Sequence, residues 1–216
     1  MISRKALLAA TIAAAALAGC SRSGDIVVEQ GVGITALRTA CPSVGVPYFT
    51  GDVTLFSPAD ARTQDALDVT ASITNVRSQC NDTGEKVYAG ATFDVLAQRR
   101  DTRGARSVTL PYFSTVVRGG NAVIAKRIGQ VTLNFADGQA RAQTGATAGA
   151  FVDRAAATLP ADIRERITRR RRSGEEDAAV DPLTDPEVRA AVARASFELL
   201  IGFQLSDEQL QYNATR

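Results

Sequence analysis

Apolar and polar residues alternate through the middle of this chain in short stretches, each closed by turn chemistry. From Leu67 to Thr74, the residues Leu67, Val69, Ala71 and Ile73 share one face, and Asp68, Thr70, Ser72 and Thr74 the other. A period of two is the signature of a half-buried strand. The same period places Val87, Ala89, Ala91, Phe93, Val95 and Ala97 together between Lys86 and Gln98, and Val131, Leu133 and Phe135 together between Gln130 and Phe135. Asp52–Ser57 alternates more briefly, with Val53 and Leu55 on one side and Thr54 and Phe56 on the other. Ser107–Val117 is apolar but interrupted by Pro111, and Phe197–Leu205 aligns Phe197, Leu199, Ile201, Phe203 and Leu205. Proline cannot donate to a ladder, so Pro111 predicts an edge strand or a bulge. Asn81-Asp82-Thr83-Gly84, Asp101–Gly104, Gly119-Gly120-Asn121 and Asp137-Gly138 supply residues that tolerate positive φ and read as turns.

Between Val152 and Phe197 the period changes. Ala155–Arg172 has helical character, with Pro160 near a helix start and Ile163 and Ile167 one helical face apart. Thr184 and Glu187 stand at capping-box spacing and open a second helix through Ala191–Ala195. Residues 169–185 between them, basic and then acidic, read as a surface loop. Ser206 and Gln209 repeat the capping-box spacing ahead of a short terminal helix. The fold predicted is mainly β: an antiparallel immunoglobulin- or fibronectin-like sandwich with a helical, charge-rich insertion before its last strand. A small barrel is the rival architecture. The inward faces are Val, Ala, Leu, Ile and Phe, which reads as a filled core.

The first residues follow a different logic. Arg4 and Lys5 precede the 13-residue run Ala6–Ala18, whose only polar member is Thr11. A transmembrane helix needs about 20 apolar residues; this run has the length of the apolar region of a secretory signal. Leu17-Ala18-Gly19-Cys20 follows and resembles the lipobox of bacterial lipoproteins at all four positions. That resemblance implies a diacylglyceryl group on the Cys20 thiol, cleavage before Cys20 and acylation of the new N-terminus. It implies residues 1–19 as signal peptide and residues 20–40 as lipidated N-terminus and tether. Residues 41–152 are then the β domain, 153–196 the helical, charged segment, and 197–216 the last strand and helix. Ser21 stands where an aspartate would favour the inner membrane, so the resemblance implies an outer-membrane lipoprotein facing the periplasm.

The chain has 216 residues with 25 basic and 23 acidic side chains, a formal charge of +2. Removal of residues 1–19 takes Arg4 and Lys5 and no acid, which leaves 23 against 23. No net positive footprint for nucleic acid remains. Once Cys20 is lipidated, Cys41 and Cys80 are left. In an oxidising compartment they read as a disulfide, closing a loop of 39 residues worth about 4 kcal/mol in the chain-entropy model; two free buried thiols are the alternative.

Arg169, Arg170, Arg171 and Arg172 form a basic tract. It fits an anionic partner such as lipid headgroups or an acidic polymer. The reading preferred is a solvated helix end, where basic residues complement the dipole and the following acids balance the charge. The chain has no histidine, which removes the commonest general base at neutral pH and the Ser-His-Asp arrangement. Two cysteines without histidine make a poor zinc site, and no metal, cofactor or catalytic residue is expected. Cys41-Pro42, Cys80, the Leu110–Val117 strand and Gly202–Asn213 together resemble a group of uncharacterised lipoproteins from alphaproteobacteria. The resemblance implies an envelope address and no functional residues. The function expected is a non-catalytic structural or protein-interaction module, held to the membrane through Cys20 and bound to an envelope protein, with exposed edge strands as acceptors. The alternative is a periplasmic lipoprotein that binds a small molecule or an anionic polymer.

Overall fold

The alternating stretches become strands in the computed structural model, which describes residues 35–36 and 38–216. In chain order these are β1 (Ser43–Gly45), β2 (Asp52–Phe56), β3 (Leu67–Asn81), β4 (Lys86–Arg99), β5 (Arg106–Arg118), β6 (Ala122–Phe135), β7 (Arg141–Asp153) and β8 (Phe197–Phe203). They form two four-stranded sheets, ordered β1-β8-β5-β6 and β2-β3-β4-β7. Every pairing is antiparallel except that of β1 with β8. Helices α1 (Arg154–Ala157), α2 (Ala161–Thr168) and α3 (Pro186–Ala195) lie between β7 and β8, and α4 (Asp207–Thr215) follows β8. Residues 36–168 and 182–216 make up one compact unit; residues 169–181 and Thr35 fall in another.

The faces expected to point inward do so. Val69 and Ala71 of β3, Ala89 through Ala97 on alternate positions of β4, Val108 and Leu110 of β5, Val131, Leu133 and Phe135 of β6, and Leu199, Ile201 and Phe203 of β8 join a single buried cluster drawn from both sheets. The predicted turns also form, and Gly104, Gly119, Gly120 and Gly138 all have positive φ. Gly202 serves a different need. A Cβ there would fall on Thr50 Oγ1 and within 2.8 Å of Phe113 Cε1, and Thr50 Oγ1 is itself held by its bond to the Pro47 carbonyl at 2.9 Å. Gly202→Ala should destabilise by about 1–3 kcal/mol, as overpacking of a closed site does, measured by the urea midpoint.

The structure departs from the sequence reading at several points. β5 is an interior strand, flanked by β8 and β6, and its bulge lies between Val116 and Val117, not at Pro111. Pro111 is tolerated for a local reason. Its carbonyl accepts from Gln204 N–H at 2.9 Å, on the flank where β8 has already ended at Phe203. A residue's nitrogen and carbonyl lie on the same side of an antiparallel strand, so the missing donor faces Gln204, one residue past the end of β8, and no bond within the β5–β8 ladder is lost. In β2 the register shifts between Leu55 and Phe56, so Phe56 is buried and meets the Tyr212 ring edge-on at 5.3 Å, while Leu55 is only half-buried. β1 and β7 were not anticipated. β7 buries alanines rather than branched side chains, which leaves its alternation faint in hydropathy.

The helical segment is also broken differently. The helix expected over Ala155–Arg172 is two helices, separated at Thr158–Pro160 and ending at Thr168. Proline lacks the donor and restricts Leu159 before it. The cap of α3 is Asp185, not Thr184. Its Oδ1 accepts from Glu187 N–H at 2.8 Å and Val188 N–H at 3.3 Å, with Pro186 at the first helical position. Those two bonds, with the Arg166 guanidinium alongside, hold the Asp185 carboxyl below the usual carboxylate range. The capping box of Ser206 and Gln209 forms as expected, with both reciprocal bonds present.

Candidate functional site

Cys20 lies outside the described residues. Cys41 and Cys80 form a disulfide with Cα atoms 6.0 Å apart, which joins the segment before β1 to the end of β3. The segment before β1 forms one wall of two adjoining depressions, of about 470 and 280 Å³, that share Arg38, Thr39, Ala40, Ala157 and Leu159. Val192, Ala195 and Phe197 extend the apolar wall of the larger one, where Glu198 supplies a carboxylate and Arg38 a cation. The Ser196 hydroxyl there is committed, donating to the Val192 carbonyl at 2.7 Å. The chemistry on offer is shallow apolar contact with one charge of each sign. A third depression, about 710 Å³ and rich in amides, lies over β3, β4 and β7 and includes Gln98, Gln139, Gln143 and Arg141.

The arginine tract begins immediately after α2, in the separate unit of residues 169–181. Arg169 Nη2 pairs with Asp177 Oδ2 at 2.6 Å and with Glu175 Oε2 at 3.8 Å. Arg171 is buried, and its Nε donates to the same Asp177 oxygen at 3.1 Å. The Arg171 bond first, with Arg169 alongside, holds the Asp177 carboxyl below its ordinary range. Arg170 and Arg172 are exposed. Two members of the tract therefore face the acidic block that follows it in sequence.

An aromatic loop has no counterpart among the sequence expectations. Tyr48 is 90% exposed and Phe49 50%, with ring centroids 6.2 Å apart. Phe49 has φ +66°, a strained value for an aromatic residue that persists only where neighbours enforce it. The buried Asn213 of α4 does so: its Nδ2 donates to the carbonyls of Phe49 and Asp52, each at 2.8 Å. No sequence signal links residues more than 160 positions apart in this way, although Val46-Pro47-Tyr48-Phe49 ahead of Gly51 marks a turn carrying aromatics.

The carboxylates available for acid–base chemistry are spoken for in several places. Asp68 takes a two-pronged contact from Arg106, with both distances 2.6 Å. Asp94 accepts from Asn75 Nδ2 at 2.8 Å on the outer face of β4. Of the two lysines beyond residue 19, Lys126 lies over the Phe113 ring at 5.2 Å. Among the described residues, no group of three or more His, Cys, Asp or Glu is placed to hold a metal ion, and no helix is long and apolar enough to cross a membrane. No protein family, curated protein or solved structure matches the chain.

Proposed function

We propose that this chain is a lipid-anchored protein of the bacterial envelope, acylated on Cys20, which presents a non-catalytic β domain to a protein partner. The observation that carries the reading is the sorting of the three cysteines. One lies in Leu17-Ala18-Gly19-Cys20, and the other two pair with each other in the folded domain. Structural disulfides belong to oxidising compartments such as the periplasm, and a lipobox signal leads there. Two acyl chains, at about 0.8 kcal/mol per buried methylene, give a lasting anchor. Ser21 favours the outer membrane over the inner. The filled core between the sheets favours a surface-acting module over an internal carrier, and the exposed Tyr48–Phe49 pair is of the aromatic type enriched at protein interfaces.

The finer architecture we read as an immunoglobulin-like sandwich. β4 pairs β7 in one sheet while β5 pairs β8 in the other, so two consecutive crossovers interlock the sheets. The uncharacterised alphaproteobacterial lipoproteins are the family in which we place it. A second reading, a binder of a small molecule or anionic polymer, draws on the apolar depression bearing Arg38 and on exposed Arg170 and Arg172.

The anchor is tested in cells. The mature N-terminal peptide should begin at Cys20 and carry acyl mass, and Cys20→Ser should leave the chain uncleaved or shift it out of the lipoprotein fraction. A mature peptide that starts elsewhere without acyl mass, or a Cys20→Ser chain trimmed and membrane-bound as before, overturns the reading. Affinity purification from solubilised envelopes then separates the two roles: a stoichiometric protein supports the module, and a small molecule alone supports the binder.

A further inference from the structure

β7 is the last strand of its sheet and runs 13 residues against β4 without a register shift. Edge strands are ordinarily guarded by charge, proline, a bulge or short length. The other edges follow that rule: β1 and β2 have 3 and 5 residues, and β6 carries Lys126 and Arg127. β7 has neither charge nor proline from Ala142 to Val152. Arg99 N–H donates to the Ala140 carbonyl and Arg154 N–H to the Glu85 carbonyl, so even-numbered residues turn their backbone groups toward β4. The odd-numbered residues from Arg141 to Asp153 turn theirs to the free flank. There the Thr147 carbonyl accepts from the Tyr112 hydroxyl at 3.0 Å, which occupies one of its two lone pairs.

Three features of β7 bear on that flank. Phe151 is 69% exposed although Tyr88 stands beside it. Gly145 has room for a side chain: an added Cβ would come no closer than 3.8 Å to any atom, whereas one on Gly149 would strike Tyr88. Arg141 and Asp153 are exposed and, among the described residues, make no ion pair: Arg141 stands opposite Gln98 in the β4 ladder, and Asp153 stands opposite Lys86 without closing a bridge to it. Asp153 even occupies the N-cap of α1 without a side-chain capping bond.

We propose that β7 pairs antiparallel with β7 of a second copy of this chain, about a two-fold axis through Thr147. In that register Arg141 stands opposite Asp153 of the other copy at both ends, Gln143 opposite Phe151, and Gly145 opposite Gly149. The strand is self-complementary in charge, and no like charges meet. All these residues are odd-numbered, so each outward N–H finds an outward carbonyl. Phe151 lies diagonal to Gly145 of the second copy, within aromatic reach, and its ring covers backbone that is otherwise bare. The interface is isologous, as a two-fold dimer requires. A strand from a different protein gives no reason for the matched charges at the two ends. This inference holds whether or not Cys20 is lipidated, so its test reads independently of the anchor.

The test uses the full chain, with the Cys41–Cys80 bridge verified by intact mass. In a two-fold hydrogen-bonded pair the Thr147 Cα atoms are about 5.5 Å apart, within disulfide range. Thr147→Cys should therefore trap a covalent dimer on mild oxidation. Gln143→Cys should not, because its own counterpart lies roughly 27 Å away at strand rise, but it should cross-link to a Phe151→Cys chain. Arg141→Asp should weaken dimerisation at least tenfold in sedimentation equilibrium, and the double exchange Arg141→Asp/Asp153→Arg should restore it. A bridged Thr147→Cys chain that stays monomeric, equal cross-linking of Gln143→Cys with itself, failure of the double exchange, or capture of a different protein by the Thr147→Cys chain in place of self-cross-linking overturns the proposal.

Discussion

Arg99→Ala should cost about 3–5 kcal/mol of stability, the range for breaking a buried charged network. Arg99 is 1% exposed. It closes the inward face of β4, where the alternation would place another apolar residue. Among the described residues no carboxylate forms an ion pair with it; backbone carbonyls take that role. Its Nε donates to Gln139, and its Nη2 to both Thr102 and Ala136, all at 2.8 Å. The guanidinium lies 5.2 Å from the Phe135 ring centroid. Thr102 belongs to the crossover from β4 to β5, and Ala136 and Gln139 to that from β6 to β7. One side chain thus ties both connections at one end of the sheets, assisted by Gly138 N–H on the Thr102 carbonyl at 2.9 Å and Gly104 N–H on Asp137 Oδ1 at 2.6 Å.

Truncation to alanine removes three charge-assisted bonds, opens a void at the end of the inward face of β4 and deletes the ring contact, although the Thr102 and Ala136 carbonyls keep the N–H groups of Gly138 and Gln139. A hydrogen bond to a charged group contributes about 1.5–3 kcal/mol, and relaxation together with the acceptors' remaining partners recovers part of the sum. The urea midpoint should fall with m unchanged, and Tm should drop by roughly 6–20 °C for a domain of this size. Arg99→Lys should regain less than half, because a compact ammonium cannot reach three carbonyls that a planar fork spans. A loss below about 1 kcal/mol for the alanine variant would mean that the two crossovers hold themselves and that Arg99 merely fills space.

Arg99 also shows where sequence reading stops. The inward faces of β3, β4, β6 and β8 were legible because large apolar residues repeat at every second position, and burial of those faces decides register. The turns were legible because positive φ needs glycine and the glycines stand between strands. β7 was hidden because its inward residues are Ala142, Ala146, Ala148 and Ala150, whose hydropathy contrast with the intervening Gly and Thr is small. Its identity as a strand is settled by β4, not by its own composition. Pro111 misled because a proline reports only on its own donor, and β5, paired with β6 throughout, meets β8 only from Tyr112 to Arg118. The Asn213 bonds to Phe49 and Asp52, like the carbonyl cage of Arg99, depend on segments far apart in sequence and leave no local trace. Among the candidate functional features, the cysteine pairing could be reached by counting; the aromatic loop and the depression beside Arg38 could not.

Replacement of both Cys41 and Cys80 by serine should produce the second large effect, and it should be local before it is global. The bridge closes 39 residues, and constraint of the unfolded chain by a loop of that length gives about 4 kcal/mol as an upper figure. The native side decides how much of it appears. Without the bridge, the segment entering the fold keeps the Ala36 N–H bond to the Ile167 carbonyl at 2.9 Å and, beyond Arg38, the parallel ladder of β1, only Ser43–Gly45 against Glu198–Leu200. Three residue pairs in a slanted ladder are a weak hold, so residues 38–45 should open at a free energy well below that of the whole domain. Trypsin should then cut after Arg38 at least tenfold faster in the double-serine chain, while amides of β4 and β5 keep their slow hydrogen exchange. Global unfolding in urea should follow with a midpoint lowered by the equivalent of about 2–4 kcal/mol. Unchanged cleavage at Arg38 together with an undiminished midpoint would show that the entry segment is held by its packing against Ala157, Leu159 and Val192, and that the bridge only records the compartment in which the chain folded.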